Sequence, residues 1–521
     1  MNKLSAKTKS LFLCILSGIL LVLSFPRSDF WILAWVGFVP LFFALHNQSK
    51  IKGFLLGYLT GIIFWSGIIY WLVHVTLPGT IVLILYLALY FGIFGLIIAT
   101  YNSRLTLRQA QGTSPKDTER SRSVPYNFLF IPSLWVLLEY IRSYLFTGFP
   151  WALLGHSQYM NLPAIQIADI TGAWGVSFLV MLSNVIAYSF YRKKKISWFP
   201  ILCLTLVFFY GHHQIFESEV QGNYGSGVKV SVIQGNIPQE LKWLAKARPY
   251  IIKQYTRLTK DAAAKNPDLI IWPEASSPGV LGRDNWIFEE IFSLSRDSKI
   301  PLLLGTVTKD KEEYFNSAIL LDSEGRIAGH YDKLHLVPFG EYIPLKRFLP
   351  FLESVVPIGD INRGKEYTIF ELPLNTYGLR DKFAVLICFE DLFPELSRRF
   401  TKRGAGFLVN ITNDAWYKRT SAADQHLQSS VFRAVENRTF VIRSANTGVS
   451  GFISPSGRII SLVGDAFGNH IFVEGFDTRT VSILKRKPSF YTQYGDVFVV
   501  FCFLFAIYGI ISPQKKLLKK S

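Results

Sequence analysis

Long apolar runs alternate with short polar segments over the first 212 residues, and then the pattern changes. Runs long enough to cross about 30 Å of hydrocarbon, roughly 17–25 residues each, lie near 9–25, 30–46, 53–73, 80–100, 126–146, 164–191 and 196–212. One more lies near 493–512, and no window between 213 and 492 qualifies. The pattern predicts a polytopic α-helical membrane bundle of about eight transmembrane helices, seven in 1–215 and the eighth, with a basic tail, in 488–521. A single soluble domain is expected over 228–487. The second run contains Pro40, which makes its limits the least defined.

Inside the soluble stretch the period shortens. Val228 to Ile233 and Leu269 to Trp272 read as strands, with further strand candidates at 302–307, 317–322, 383–388 and 406–411. Helical stretches are expected at 240–264, 285–298, 391–403 and 421–438, and paired strands near 440–446 and 449–463 close the domain. Strands separated by helices indicate an α/β domain with layered sheets. Gly235, Pro273, Gly305 and Gly340 fall just after strands, where such folds place their chemistry.

Composition agrees with a membrane protein: half of the 521 residues are hydrophobic and only 18% are charged, against about 25% in soluble domains. The mean hydropathy is +0.26 and the formal net charge +18. With a cytoplasmic N-terminus, the inside segments carry Lys3, Lys7, Lys9, Lys50, Lys52, Arg104, Arg108, Lys116, Arg120, Arg122, Arg192 to Lys195, and four lysines from Lys515 to Lys520. Only Asp117 and Glu119 offset them, and the short outside loops carry Arg27 alone. This bias follows the positive-inside rule. It accounts for nearly all of the basic charge, so no nucleic-acid partner is expected. The soluble domain then lies on the non-cytoplasmic side. Lys3, Lys7 and Lys9 before the first run would also suit a cleaved signal peptide, but Phe25-Pro26-Arg27 is a poor cleavage context and a retained anchor is expected.

Candidate chemistry gathers at strand ends. Cys14, Cys203 and Cys502 sit in expected membrane helices, where a thiol is a small packing residue. Cys388 alone belongs to the soluble domain, at the end of Phe383 to Ile387 and before Phe389-Glu390-Asp391. A helix beginning there would favour the thiolate through its dipole; a buried strand-end cysteine is the competing reading. Glu274 ends Ile271-Trp272-Pro273-Glu274, where partial desolvation would raise its pKa toward the range of a general base. Lys333 sits in Tyr331-Asp332-Lys333-Leu334-His335, placed to supply a fixed positive charge for an oxyanion. His335 reads as a structural histidine rather than a base for Cys388. In the fifth run Glu139 and Arg142 lie one helical turn apart, and packing inside the bundle explains them better than a lipid headgroup.

Taken together in the order Glu, Lys, Cys, these groups resemble the nitrilase (carbon–nitrogen hydrolase) superfamily, specifically a membrane-embedded branch with helices on both sides of the catalytic domain. Supporting stretches run from Thr147-Gly148-Phe149-Pro150-Trp151 through Gln234 to Gln239 and His335 to Glu341 to Asn413-Asp414-Ala415-Trp416. The resemblance implies an α-β-β-α sandwich with Glu274 as general base, Lys333 as oxyanion stabiliser and Cys388 as nucleophile. It implies a two-step exchange in which Cys388 takes the sn-1 acyl chain of a phospholipid as a thioester. The N-terminal amine of a diacylglyceryl-cysteine on an apolipoprotein then receives the chain. Functional weight also falls on Trp243, Glu341 and Glu390, with Glu341 steadying the Lys333–Glu274 network and Glu390 and Trp243 shaping the pocket mouth. Phe389 stands where the family usually has Tyr, so a role needing that hydroxyl is not carried over.

The implied setting is a bacterial inner membrane crossed several times, with both termini cytoplasmic and the catalytic domain periplasmic. The sequence contains no phosphate-binding glycine loop, metal-ligand spacing or nucleotide fingerprint, so no cofactor and no metal are expected. Three other readings use the same residues: a tethered amidase delivering the acyl group to water, a transporter with an accessory domain, and a non-catalytic scaffold. The transporter would need polar residues repeated at mid-membrane depth, and the scaffold would lack one of the three groups.

Overall fold

The computed structural model describes residues 6–110, 124–193, 198–222, 226–342, 361–373, 380–483 and 487–515. Lys3, Lys116, Arg120, Arg122, Lys194, Lys195, Lys516, Lys519 and Lys520 lie outside the described residues, as do Asp117 and Glu119. The chain divides into two compact units, Met1–His213 with Tyr494–Ser521, and Gln214–Gln493.

The first unit is helical. Its long helices are α1 (Ala6–Leu23), α2 (Lys50–Ile68), α3 (Leu77–Ala110), α4 (Val124–Tyr144), α5 (Ala173–Lys193), α6 (Trp198–Gly222) and, after the second unit, α11 (Val497–Lys515). Among the described residues four segments are both long and apolar enough to cross a membrane: Lys50–Ile68, Leu77–Asn102, Ala173–Arg192 and Trp198–Ser218. Gly53, Gly57 and Gly61 place a flat stripe of α2 against α3, where a Cβ at Gly61 would meet Ala88 Cα at 2.9 Å. Small residues at every fourth position let two backbones approach in this way.

Two expected spans are not single helices. The 30–46 run forms a 3-10 turn (Trp31–Trp35) and a six-residue helix (Val39–Ala44) that starts with Pro40 in its first turn. The freed backbone groups between these pieces are satisfied by Asn184 of α5, whose Nδ2 donates to Ala34 O at 2.8 Å and whose Oδ1 accepts from Phe38 N at 2.8 Å. A buried amide supplying such partners is what non-helical backbone in an apolar bundle requires. The 164–191 run is broken at Gly172, with φ +66°, so the long helix begins at Ala173. Glu139 and Arg142 are buried, and both bind main chain: Arg142 Nη1 donates to Phe149 O at 2.7 Å and Trp151 O at 2.8 Å, and Glu139 Oε1 accepts from Leu154 N at 2.6 Å. Arg142 thus holds the Thr147–Trp151 stretch and Glu139 the chain just after it, contacts that fit the packing reading.

The second unit contains two sheets. The first has the order β13-β1-β2-β4-β5-β6, with β3 beside β4. Its strands are β1 (Ser226–Gln234), β2 (Leu269–Ile271), β3 (Val280–Leu281), β4 (Leu302–Asp310), β5 (Glu313–Leu321), β6 (Ile327–Asp332) and β13 (Gly475–Ile483). The second has the order β12-β11-β10-β9-β8-β7. It contains β7 (Phe370–Pro373), β8 (Arg380–Ile387), β9 (Phe407–Thr412), β10 (Phe440–Ala445), β11 (Gly451–Ile453) and β12 (Ile459–Leu462). Strands β1, β2 and β4 run parallel, as do β8, β9 and β10. The buried parallel strands read as continuous apolar runs, which is why Phe383 to Ile387 was legible.

Helices α7 (Arg248–Ala263) and α8 (Asn285–Ser298) cover the first sheet, burying Ile251, Tyr255, Leu258, Ile287 and Ile291 against Ile270, Leu302 and Ile319. Helices α9 (Pro394–Lys402) and α10 (Ala422–Asn437) pack on the second sheet. Between the sheets, Ser444 Oγ reaches Ile233 O at 3.0 Å and Ile271 O at 3.2 Å. The result is an α-β-β-α sandwich. The edge strands β6, β7 and β13 were not expected from the sequence, and the expected helix at 240–264 begins only at Arg248 after a turn.

Candidate active site

Three strand ends meet. Glu274 follows β2, Lys333 follows β6 in the same sheet, and Cys388 follows β8 in the other. The turn carrying Glu274 is fixed by its neighbour β4: Gly305 N donates to Pro273 O at 3.2 Å and Ser276 N donates to Gly305 O at 2.9 Å. A Cβ at Gly305 would lie 2.6 Å from Glu274 Cα, so only glycine allows this approach. Ala275, with φ +46°, turns the chain sharply. Trp272 anchors the strand end from below, stacked 4.7 Å from Tyr255 and donating through Nε1 to Thr259 Oγ1 at 2.9 Å.

Lys333 is 1% exposed. Its Nζ lies 2.9 Å from Glu341 Oε1 and 3.6 Å from Glu274 Oε1. Asn316 of β5 closes the group, with Nδ2 donating to Glu274 Oε1 and to Glu341 Oε1, each at 2.8 Å. Its main-chain O also accepts from Lys333 N at 2.9 Å. Burial works to lower the Lys333 ammonium, but Glu341, Glu274 and Cys388 together hold it above the ordinary lysine range. It stays a cation.

Cys388 is half-buried and has φ +53°, in the left-handed region that β-carbon residues rarely occupy. It opens a short 3-10 turn, Cys388–Leu392, and the longer helix starts only at Pro394. The expected helix-dipole activation is therefore absent. Burial, and next the Glu274 carboxylate, push the thiol well above its ordinary value, while Lys333 pulls it down. The resting group is a protonated thiol within electrostatic reach of a carboxylate and an ammonium. That arrangement suits proton removal during attack rather than a standing thiolate.

The strained turn rests on a buried polar platform. Asn410 Nδ2 donates to Cys388 O at 3.1 Å, and His426 Nε2 lies 3.3 Å from the same oxygen and 2.8 Å from Asp391 Oδ1. His426 Nδ1 faces Asp414 Oδ1 at 3.0 Å, and Arg443 Nη1 binds Asp391 Oδ2 at 2.9 Å. Burial opposes a charge on His426, yet Asp391 and Asp414, working against Arg443, raise it to about 9.

Glu390 is fully buried, which corrects the expectation that it shapes a pocket mouth. It accepts from Leu334 N at 2.6 Å, His335 N at 3.0 Å, Ile387 N at 2.7 Å and Tyr331 Oη at 2.9 Å. One carboxyl thus ties the Lys333 loop to the Cys388 strand, and burial pushes it up to about 7. Trp243 is 53% exposed and makes no part of this network, while Phe389 is buried against Phe393 with ring centroids 5.3 Å apart. His335 packs 3.7 Å from the Phe393 ring, a structural placement.

Asn316, Asn410, His426, Asp391, Arg443 and Lys242 were not singled out from the sequence. The signal was present for Arg443, a charge inside the apolar run Phe440 to Ala445, and for Asn316, an amide within a strand. Among the described residues no group of three or more His, Cys, Asp or Glu is placed to hold a metal ion.

Residues 17–186 match the apolipoprotein N-acyltransferase N-terminal domain family, and residues 229–478 match the carbon-nitrogen hydrolase family. An apolipoprotein N-acyltransferase from Geobacter metallireducens is 37% identical over 94% of this chain and 92% of its own length. The chain belongs to the apolipoprotein N-acyltransferase family. A second relative of that name, from Pasteurella multocida, is 29% identical over 98% of this chain and 95% of its own. One from Nitrosomonas europaea is 32% identical over 73% of each chain. Within this N-acyltransferase family member, Glu274, Lys333 and Cys388, each just past a strand end, and Glu341, in the loop after Lys333, all fall inside the carbon-nitrogen hydrolase match.

Proposed function

We propose that this chain completes lipoprotein maturation by moving the sn-1 acyl chain of a phospholipid, through a Cys388 thioester, to the N-terminal amine of a diacylglyceryl-cysteine. The observation that carries the reading is the convergence of Glu274 and Lys333 on Cys388 in one buried network.

In the first step Glu274 takes the thiol proton as sulfur attacks the ester carbonyl. Lys333 balances the charge on the tetrahedral oxygen, a contribution of about 10²–10³ in rate for one such donor. The C–O bond breaks, Glu274 returns the proton to the glyceryl oxygen, and a lysophospholipid leaves. In the second step the substrate amine attacks the thioester and Glu274 takes up the amine proton; the C–S bond then breaks, Glu274 passes that proton to the departing sulfur, and amide and free thiol result. Glu341 and Asn316 keep Lys333 and Glu274 in register, and Glu390 locks their loop to the nucleophile. Phe389 contributes packing only.

The same reading sets the chain in a bacterial inner membrane. It crosses eight times, with both termini cytoplasmic and the catalytic unit periplasmic; the inside bias of Lys and Arg supports it. The test is to incubate the purified full-length protein with phospholipid and a diacylated lipopeptide and weigh the products. A mass gain of one acyl chain on the peptide, absent with Cys388→Ala, is the expected result. Fatty-acid release with no acylated peptide would instead identify a hydrolase.

A further inference from the structure

We propose that Lys242 is a positioning residue for this acyl transfer, holding the main chain of Glu274 and supplying the second positive charge of the site. The proposal rests on the acyl-enzyme reading above and adds to it a residue outside the Glu–Lys–Cys set.

Lys242 is 4% exposed, although a free lysine side chain would ordinarily reach water. It sits in the tight turn after β1, where Leu241 N donates to Pro238 O at 3.1 Å and Lys242 N to Gln239 O at 3.3 Å. The turn is pinned from the opposite sheet. Asn446 exchanges two bonds with Ile237, at 2.9 and 2.7 Å, and Asn413 Nδ2 donates to Gln239 Oε1 at 2.8 Å. The ammonium is thereby directed inward, and its Nζ donates to Glu274 O at 3.1 Å. That carbonyl belongs to the sharp turn at Ala275, whose direction sets where the Glu274 carboxylate points.

Charge bookkeeping requires a second cation. Glu274 and Glu341 share one ammonium, that of Lys333, leaving a buried site one negative charge in excess. As the thiol proton neutralises Glu274, that excess passes to the forming oxyanion, and a second cation is what cancels it. The groups facing Lys242 are Glu274 and Cys388; Lys333, Glu341, Asp414 and Tyr417 stand behind them. Burial brings the Lys242 ammonium down to about 8, against the pull of Glu274 and Cys388. The charge is present at neutral pH and is lost as pH rises through that value. The thiol stays protonated over the same interval, so it adds no opposing limb.

The experiment follows the first half-reaction alone, using full-length protein in detergent and a phosphatidylethanolamine with a mass-labelled sn-1 chain. The rate at which Cys388 gains that chain is measured from pH 6 to 10 for wild type, Lys242→Met and Lys242→Arg. Wild type is expected to lose rate above about pH 8. Lys242→Met should form acyl-enzyme about 10–100-fold more slowly at pH 7, with the lipid concentration for half-maximal rate little changed and the alkaline limb gone. Lys242→Arg should recover most of the rate and move the limb upward. A Lys242→Met protein with the wild-type rate and pH profile overturns the proposal while leaving the acyl-enzyme reading intact. Wild type that never acylates Cys388 overturns both. Should Lys242→Met fail to fold, an alkaline limb that stays in place in Lys242→Arg overturns the proposal by itself.

Discussion

Asn316→Asp reverses the polarity at the centre of the site with almost no change in shape. In the native protein the amide donates to Glu274 and Glu341 at 2.8 Å each. The substitution replaces two charge-assisted hydrogen bonds with two like-charge contacts. At an effective dielectric constant of about 20, each pair at that separation repels by about 6 kcal/mol, equivalent to about four pKa units. Two ammoniums, Lys333 and Lys242, cannot offset three carboxylates, so the trio retains a proton at neutral pH. A shared proton restores a hydrogen bond and lets the fold survive, with a melting midpoint lowered by less than about 10 °C. The base function is what suffers. Single-turnover labelling of Cys388 by phospholipid should slow by at least about 100-fold at pH 7 and recover in part at higher pH. A wild-type rate at pH 7 in a folded Asn316→Asp protein would refute the claim that this amide orders the two carboxylates.

Gly305→Ala inserts a Cβ 2.6 Å from Glu274 Cα and from Pro273 O, both main chain, so the Glu274 turn must move. Acyl-enzyme formation should fall by about 100-fold, the scale expected when a reacting group shifts by 1 Å; an unchanged rate would show that the turn tolerates the displacement. His426, raised from 6.5 to about 9, contributes stability that is complete below pH 6.5 and lost as pH rises through 9, about 3 kcal/mol in all. Thermal melting at pH 6 and pH 10 should therefore show a larger alkaline loss in wild type than in His426→Gln, and equal losses would contradict the charged platform.

Much of the site was legible because its groups follow apolar parallel strands. Phe383 to Ile387 and Leu269 to Trp272 are buried throughout, and the chemical group comes at once after the first run, as Cys388, and one proline after the second, as Glu274. Lys333 was found from its motif, although its strand β6 was missed: Ile327 to Asp332 alternates too weakly, being an edge strand with exposed positions. Edge strand β13 escaped for the same reason, and β7, with Phe370 and Leu372 buried, because four residues are too few to show a period. The helix expected at 391–403 failed at Pro394, which sets the true start of α9 and leaves Cys388 in a separate turn. The supporting groups Asn316, Asn410 and His426 were hidden because each acts across sheets or elements distant in sequence, and pattern reports only local order. In the helical unit the 30–46 run had the right composition but the wrong continuity. Its rescue by Asn184 is a contact between residues almost 150 positions apart.

The most direct test is peptide mass mapping of the protein after exposure to phospholipid alone. One acyl chain should appear on Cys388, with an equal amount of lysophospholipid released, and a diacylated lipopeptide should then discharge that adduct into an amide. Amide formation at the wild-type rate by Cys388→Ala, or amide formation with the Cys388 peptide never modified, would contradict the account.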